Sequence, residues 1–143
     1  EYKRYGVPFS VIMLDADGFK SVNDRFGHHI GDEVLKVLAS RLTGVVRGSD
    51  TVARLGGDEF LILCPHTGSD GAIEIGRKIV ESKAPVLTTD GLVAWDGSVS
   101  VGIAVADHES LQTHEDLIKA ADEALYQSKR NGKDRYTLHG AAI

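Results

Sequence analysis

Changes in hydrophobic period along the chain mark its elements. Phe9 to Leu14 is a short apolar run containing β-branched residues, which predicts a buried strand. A polar stretch, Asp15 to Asp24, follows it. From Gly31 onward Val34, Leu35, Leu38 and Leu42 recur at helical spacing, predicting a helix to about Gly44. Thr51 to Leu55 and Glu59 to Cys64 read as two strands joined at Gly56-Gly57, a hairpin signal. Ala72, Ile73, Gly76, Ile79 and Val80 mark a second amphipathic helix that ends before Pro85. Val86 to Ala94 and Ser98 to Ala106 predict another strand pair, turned at Asp96-Gly97. Leu117, Ala121, Ala124 and Leu125 mark a last helix, stopped near Asn131-Gly132. Tyr136 to Leu138 reads as a short final strand. Adjacent hairpins with intervening helices imply an α+β fold: a ferredoxin-like sandwich, with a mixed, mostly antiparallel central sheet flanked by helices.

Size and charge narrow this picture. A chain of 143 residues has the length of one domain, and no internal repeat or linker divides it. No apolar run approaches the roughly 18 residues of a membrane span, so no membrane contact is expected of it. Residues 1–4 are not followed by the apolar core of a signal peptide. The formal net charge of −5 argues against broad nucleic-acid binding, which needs a basic field. It leaves open one small anion held by a metal and a few cations. Cys64, the single cysteine, stands among Leu61, Ile62 and Leu63 and reads as a small buried apolar residue in a reducing compartment.

Two acidic sites fall at strand ends. Asp15 ends the first strand, and Asp58 and Glu59 follow the glycine pair. If the first strand lies beside the hairpin, carboxylates from both converge. Hard oxygen ligands in a small cluster suit Mg²⁺, which takes a few carboxylates and leaves room for phosphate oxygens. Taken separately, Asp15-Ala16-Asp17 reads as a solvated turn and Gly56-Gly57 as a tight hairpin turn. Together they say more. Consecutive glycines let a backbone approach a ligand closely, and buried acids beside them need a compensating cation or solvent.

Three segments carry a resemblance. Gly56-Gly57-Asp58-Glu59-Phe60 is the name-giving motif of the GGDEF family. Asp15 to Asp24, with Gly27-His28-His29-Ile30-Gly31-Asp32, is similar to that family's long upstream signature. Ala121 to Tyr126, with Lys129 and Gly132-Lys133, is similar to its third. The motifs occur in family order from about Phe9 to Leu138. The chain therefore resembles a diguanylate cyclase domain with a nucleotidyl-cyclase palm. The resemblance implies that two GTP molecules are joined into cyclic di-GMP, releasing two pyrophosphates, in a cytoplasmic homodimer. It implies Mg²⁺ or Mn²⁺, two per active site, held by Asp15, the Ala16 carbonyl and Asp58. Asn23 and Asp32 would bond the guanine edge. Phe19 and Lys20 would meet phosphates at a helix start, and Lys129 and Lys133 would neutralise the β- and γ-phosphates. Gly56 and Gly57 would let the nucleotide pass close to the turn. Glu59 would bind metal or help deprotonate the 3′-hydroxyl. Arg47-Gly48-Ser49-Asp50 matches the family's RxxD inhibitory motif, where Arg47 and Asp50 would bind the product as an inhibitor.

The chain also departs from the family pattern. It begins at Glu1, close to where the family's first helix would end, which implies a piece of a longer protein without its N-terminal segment or any sensory region. Ala16 replaces a bulkier aliphatic residue, Lys133 stands where Arg is common, and Leu55 replaces a frequent aromatic. Two rival readings stand beside the cyclase. One is an inactive module that binds GTP or cyclic di-GMP. The other is a cyclase accepting ATP, against which Asp32 argues. The remaining candidates have plainer readings. No spaced Cys or His completes a zinc set with His28 and His29. His66, His108, His114 and His139 read as superficial, Trp95 as a packing residue, and Arg77, Lys78 and Lys83 as a solvated helix face.

Overall fold

The computed structural model describes residues 7–106 and 113–140. In chain order the elements are β1 (Phe9–Ala16), α1 (Phe19–Phe26), α2 (His28–Val45), β2 (Thr51–Gly56), β3 (Glu59–Pro65), α3 (Ser69–Glu81), β4 (Val86–Leu87), β5 (Val93–Trp95), β6 (Val99–Ala106), α4 (His114–Arg130) and β7 (Arg135–Leu138). Five strands form one sheet in the order β2-β3-β1-β6-β7. All neighbours are antiparallel except β6 and β7. The first four strands reproduce the ferredoxin-like order, and α4 adds β7 as a parallel edge.

Alternation along β1 explains the layering. Ile12, Leu14 and Ala16 belong to a core shared with Val34, Leu38 and Leu42 of α2 and Ala72, Ile75 and Ile79 of α3. Val11 and Met13 face the other way, against Leu117, Ala120, Ala121 and Leu125 of α4. Asp15 continues this second set by the period of two, so its side chain emerges on the α4 side. The start of α4 is secured by a capping box: Thr113 Oγ1 accepts from Asp116 N–H, while Asp116 accepts from Thr113 N–H, each at 3.1 Å.

Two elements differ from the sequence expectation. The polar stretch after β1 contains α1, whose apolar face, Phe19, Val22 and Phe26, spans only two turns among polar and charged residues, with Val22 alone fully buried. The expected pair of Val86–Ala94 with Ser98–Ala106 does not form. Val86–Leu87 instead pairs with Val93–Trp95 in a separate small ribbon, and β6 is inserted between β1 and β7. A continuous apolar strand such as β6 is more stable with both edges paired and both faces covered. Eight residues of β6 have seven buried positions, which no two-stranded ribbon provides. Cys64 and Trp95 are buried, as their packing readings require. Burial pushes the Cys64 thiol up to about 12, which keeps it protonated. His66, His114 and His139 are exposed, whereas residues 1–4 and His108 lie outside the described residues. Among the described residues no helix is long and apolar enough to cross a membrane.

Candidate active site

Strand register brings the two acidic segments together. Asp15 is the direct partner of Glu59 across β1 and β3, so both project toward α4. The intervening turn is tight. Gly56 and Gly57 have φ of 142° and 53°, values that favour residues without a Cβ. The Arg54 guanidinium closes the turn by donating to the Gly57 carbonyl, from Nη2 at 2.7 Å and Nε at 3.0 Å. Asp58, at the tip, is half-buried.

Lys129 comes from the last turn of α4 and donates to Asp15 Oδ2 at 2.5 Å. Just before it, buried Ser128 donates to the Val101 carbonyl at 2.8 Å, pinning this end of α4 to β6. Asp15 is only 4% exposed. Burial pushes its carboxyl up to about 6 despite the bond to Lys129, and the charges of Asp58 and Asp17 push the same way. Asp58 is also raised, mainly by burial. Burial opposes the charge on Lys129, but its bond to Asp15 and the fields of Asp15, Asp58 and Glu59 hold its pKa above the ordinary value.

Asp15 Oδ1 is buried and has no hydrogen-bond partner. A buried, unpaired carboxylate oxygen beside a second desolvated acid is costly alone and suited to a hard cation. Among the described residues no three His, Cys, Asp or Glu side chains gather as a self-sufficient metal cage. Two carboxylates plus a backbone carbonyl at Ala16 fit a Mg²⁺ ion that retains positions for phosphate and water. The residues present therefore fit a divalent cation.

The expected base-recognition residues lie on α1 and α2. Gly31 permits their close packing: a Cβ there would stand 1.9 Å from Asn23 Oδ1. That oxygen is itself buried and unpaired, packed against Gly31, the residue before exposed Asp32. Phe19 opens α1 and packs on the core, while exposed Lys20 pairs with Asp24 at 2.9 Å. Lys133 is exposed in the turn after α4. Arg47 and Asp50 stand apart, before β2, whose Thr51 to Leu55 separate them from the glycine turn, a span of roughly 17 Å. They engage each other: Arg47 Nη2 and Nε donate to Asp50 at 3.0 and 3.2 Å, and Arg47 N–H donates at 2.9 Å.

Sequence reasoning gave no role to Arg54, Asp17, Ser98 or Ser100. Asp17 accepts from the Ser98 and Ser100 hydroxyls, 81 and 83 positions away, a separation at which spacing carries no signal. Arg54 stands two residues before the glycines, and a long donor beside a turn was the available clue.

An α+β domain with paired acids at the end of its sheet, a lysine bonded to Asp15 and a glycine turn defines the class of this protein. A family model described as "Diguanylate cyclase, GGDEF domain" matches residues 1–135. The chain belongs to that family. It is similar to diguanylate cyclase DgcM of Escherichia coli, 40% identical over 127 residues, covering 89% of this chain and 30% of that protein. The chain thus spans about 30% of the length of this curated relative. It is also similar to the GGDEF domain of TpbB (YfiN) from Pseudomonas aeruginosa, with a TM-score of 0.87, 38% identity, and coverage of 96% of this chain and 80% of that one. The GGDEF domain of DgcB from Caulobacter crescentus, solved in complex with c-di-GMP, has a TM-score of 0.87 at 29% identity, covering 98% and 82% respectively.

Proposed function

We propose that this domain is a diguanylate cyclase half-site that condenses GTP into cyclic di-GMP in a homodimer. The observation that carries this reading is the orphaned Asp15 Oδ1 beside Asp58 and Lys129. It is a place prepared for a cation and a polyphosphate, within a chain of the cyclase family. Asp15, Asp58 and the Ala16 carbonyl would hold Mg²⁺ or Mn²⁺, two ions per site, with Glu59 as a further ligand or as the acceptor of the hydroxyl proton. A divalent cation there supplies charge neutralisation at the α-phosphate and acidifies the attacking hydroxyl. The Asn23 amide and the Asp32 carboxylate orient guanine, since a base lacking its N–H donors would leave a carboxylate unpaired. Phe19 and Lys20 present the start of α1 to phosphates. Lys129, drawn toward the β- and γ-phosphates with Lys133, stabilises the leaving pyrophosphate. The 3′-oxygen of each GTP loses its proton and forms a bond to the α-phosphorus of the other, and each α-phosphorus releases its pyrophosphate, so two bonds form and two break. Each half-site presents one GTP, so two copies face each other and positioning supplies much of the rate. Arg47 and Asp50 form a second site, where cyclic di-GMP inhibits. The reading places the domain in the cytoplasm.

The test incubates the dimeric full-length protein with Mg²⁺ and GTP, then with ATP, and identifies products by mass. Cyclic di-GMP from GTP, and no dinucleotide from ATP, is expected. A confirmed dimer that makes no dinucleotide from GTP would reassign the domain as a nucleotide-binding regulatory module.

A further inference from the structure

The segment Asp15-Ala16-Asp17 carries two acids, and the structure uses them oppositely. Asp15 has an unpaired oxygen, whereas both oxygens of Asp17 are occupied. Oδ1 accepts from Ser100 Oγ at 2.6 Å. Oδ2 accepts from Ser98 Oγ and from the Asp134 backbone N–H, the latter at 3.0 Å. The Asp17 N–H also donates to the Ser98 carbonyl at 2.9 Å. Asp17 thus joins the end of β1, the start of β6 and the turn between α4 and β7.

That turn has an unfavourable backbone. Gly132, Lys133 and Asp134 have φ of 122°, 65° and 52° in succession. Two of them carry side chains, and non-glycine residues hold such conformations only when surrounding contacts enforce them. Its other ties are Lys133 N–H to the Ser128 carbonyl at 2.9 Å, Arg135 Nε to the Lys133 carbonyl at 2.9 Å, and an exposed Lys83–Asp134 ion pair. The bond to Asp17 is the one that fastens the turn to the strand carrying Asp15.

We propose that Asp17 is a positioning residue for the triphosphate, a clamp that fixes the Lys133 turn relative to the carboxylate end of β1. This rests on the cyclase reading, in which Lys133 meets the terminal phosphates. With the clamp intact, Lys133 is preorganised and loses little freedom on binding. Without it, the turn relaxes toward ordinary backbone and the ammonium is no longer held in register with Asp15. The clamp acts on the polyphosphate and leaves base recognition on α1 and α2 untouched.

Affinities for α,β-methylene GTP and for GMP, measured with Mg²⁺ on the purified protein, test this. Asp17→Ala should weaken the triphosphate about 10-fold while GMP stays within about twofold, the effect of losing one charge-assisted contact. In a Lys133→Met background, Asp17→Ala should cost nothing further, because both act through one group. Asp17→Asn should behave as wild type. Its amide oxygen still accepts from Ser98 and Asp134, and its NH₂ donates to Ser100. Ser98→Ala combined with Ser100→Ala serves as a second variant if Asp17→Ala fails to fold, with a smaller loss in the same direction. Trypsin provides an arm independent of nucleotide: cleavage after Lys133 should accelerate about 10-fold in Asp17→Ala with other sites unchanged. Equal losses for GMP and triphosphate, fully additive losses with Lys133→Met, or unchanged cleavage after Lys133 would each overturn the proposal. A wild-type protein that binds neither nucleotide would defeat the cyclase reading instead, and the trypsin arm would still decide the clamp.

Discussion

Two acid–base pairs in this domain look alike on paper and differ in how completely each acid is satisfied. Asp50 receives three N–H bonds from Arg47, and its side chain is 0% exposed. Asp15 is almost equally hidden but receives one bond, from Lys129, and keeps Oδ1 unpaired. The Asp50 pair is closed: Arg47, with nearly half its side chain exposed, can meet a ligand, whereas Asp50 must first give up a bond. The Asp15 pair is open, with an unused acceptor and a cation held by a single contact. A buried acid with both oxygens bonded serves local order. One left short is a place where something else belongs.

The sharpest way to break this contrast is Asp15→Asn. If the open pair holds the cation, turnover should fall on the order of 10³-fold in a radiolabelled GTP assay. Near-normal activity would show that the orphaned oxygen has no catalytic use.

A second test uses proton linkage. The Asp15 carboxyl stands at about 6 in the fold against 3.8 ordinarily. Between those values the folded chain keeps a proton that the unfolded chain has lost. Its contribution therefore makes stability fall as pH rises from about 4 to 6, by about 3 kcal/mol. In chelator, wild type should lose stability over this window relative to Asp15→Asn in paired denaturation curves. Saturating Mg²⁺ should remove most of the difference. Parallel curves without metal would contradict the open-pair account.

Arg47→Ala probes the closed pair. Cyclic di-GMP binding by calorimetry should weaken about 10- to 100-fold, the scale of lost charged hydrogen bonds, with initial turnover retained. Unchanged binding would remove Arg47 from any product site. The smallest effect belongs to an exposed control, the His139–Glu123 pair at 2.9 Å. His139→Ala should shift stability by no more than about 0.5 kcal/mol in urea titration. A larger loss would mean that an exposed pair contributes as much to stability as the two pairs whose acids are buried.

Local sequence was enough for the elements whose information is local. Helical periodicity marked α2, α3 and α4, the glycine pair marked the β2–β3 hairpin, and motif order led to the family and to the candidate residues around Asp15 and Asp58. It failed where the partner is distant or absent from the pattern. Helix α1 shows its apolar spacing, Phe19, Val22 and Phe26, across only two turns of a mostly polar segment. The seven buried positions of β6 looked the same whichever strands flank it, and only sheet closure chose β1 and β7 over the preceding ribbon. Both acids of Asp15-Ala16-Asp17 are written identically, yet one is left open and the other is saturated by groups up to 117 positions away. Residue type and period are properties of neighbours along the chain. Burial, register and hydrogen-bond completeness are properties of neighbours in space, and in this domain those decided which carboxylate is free to take a cation.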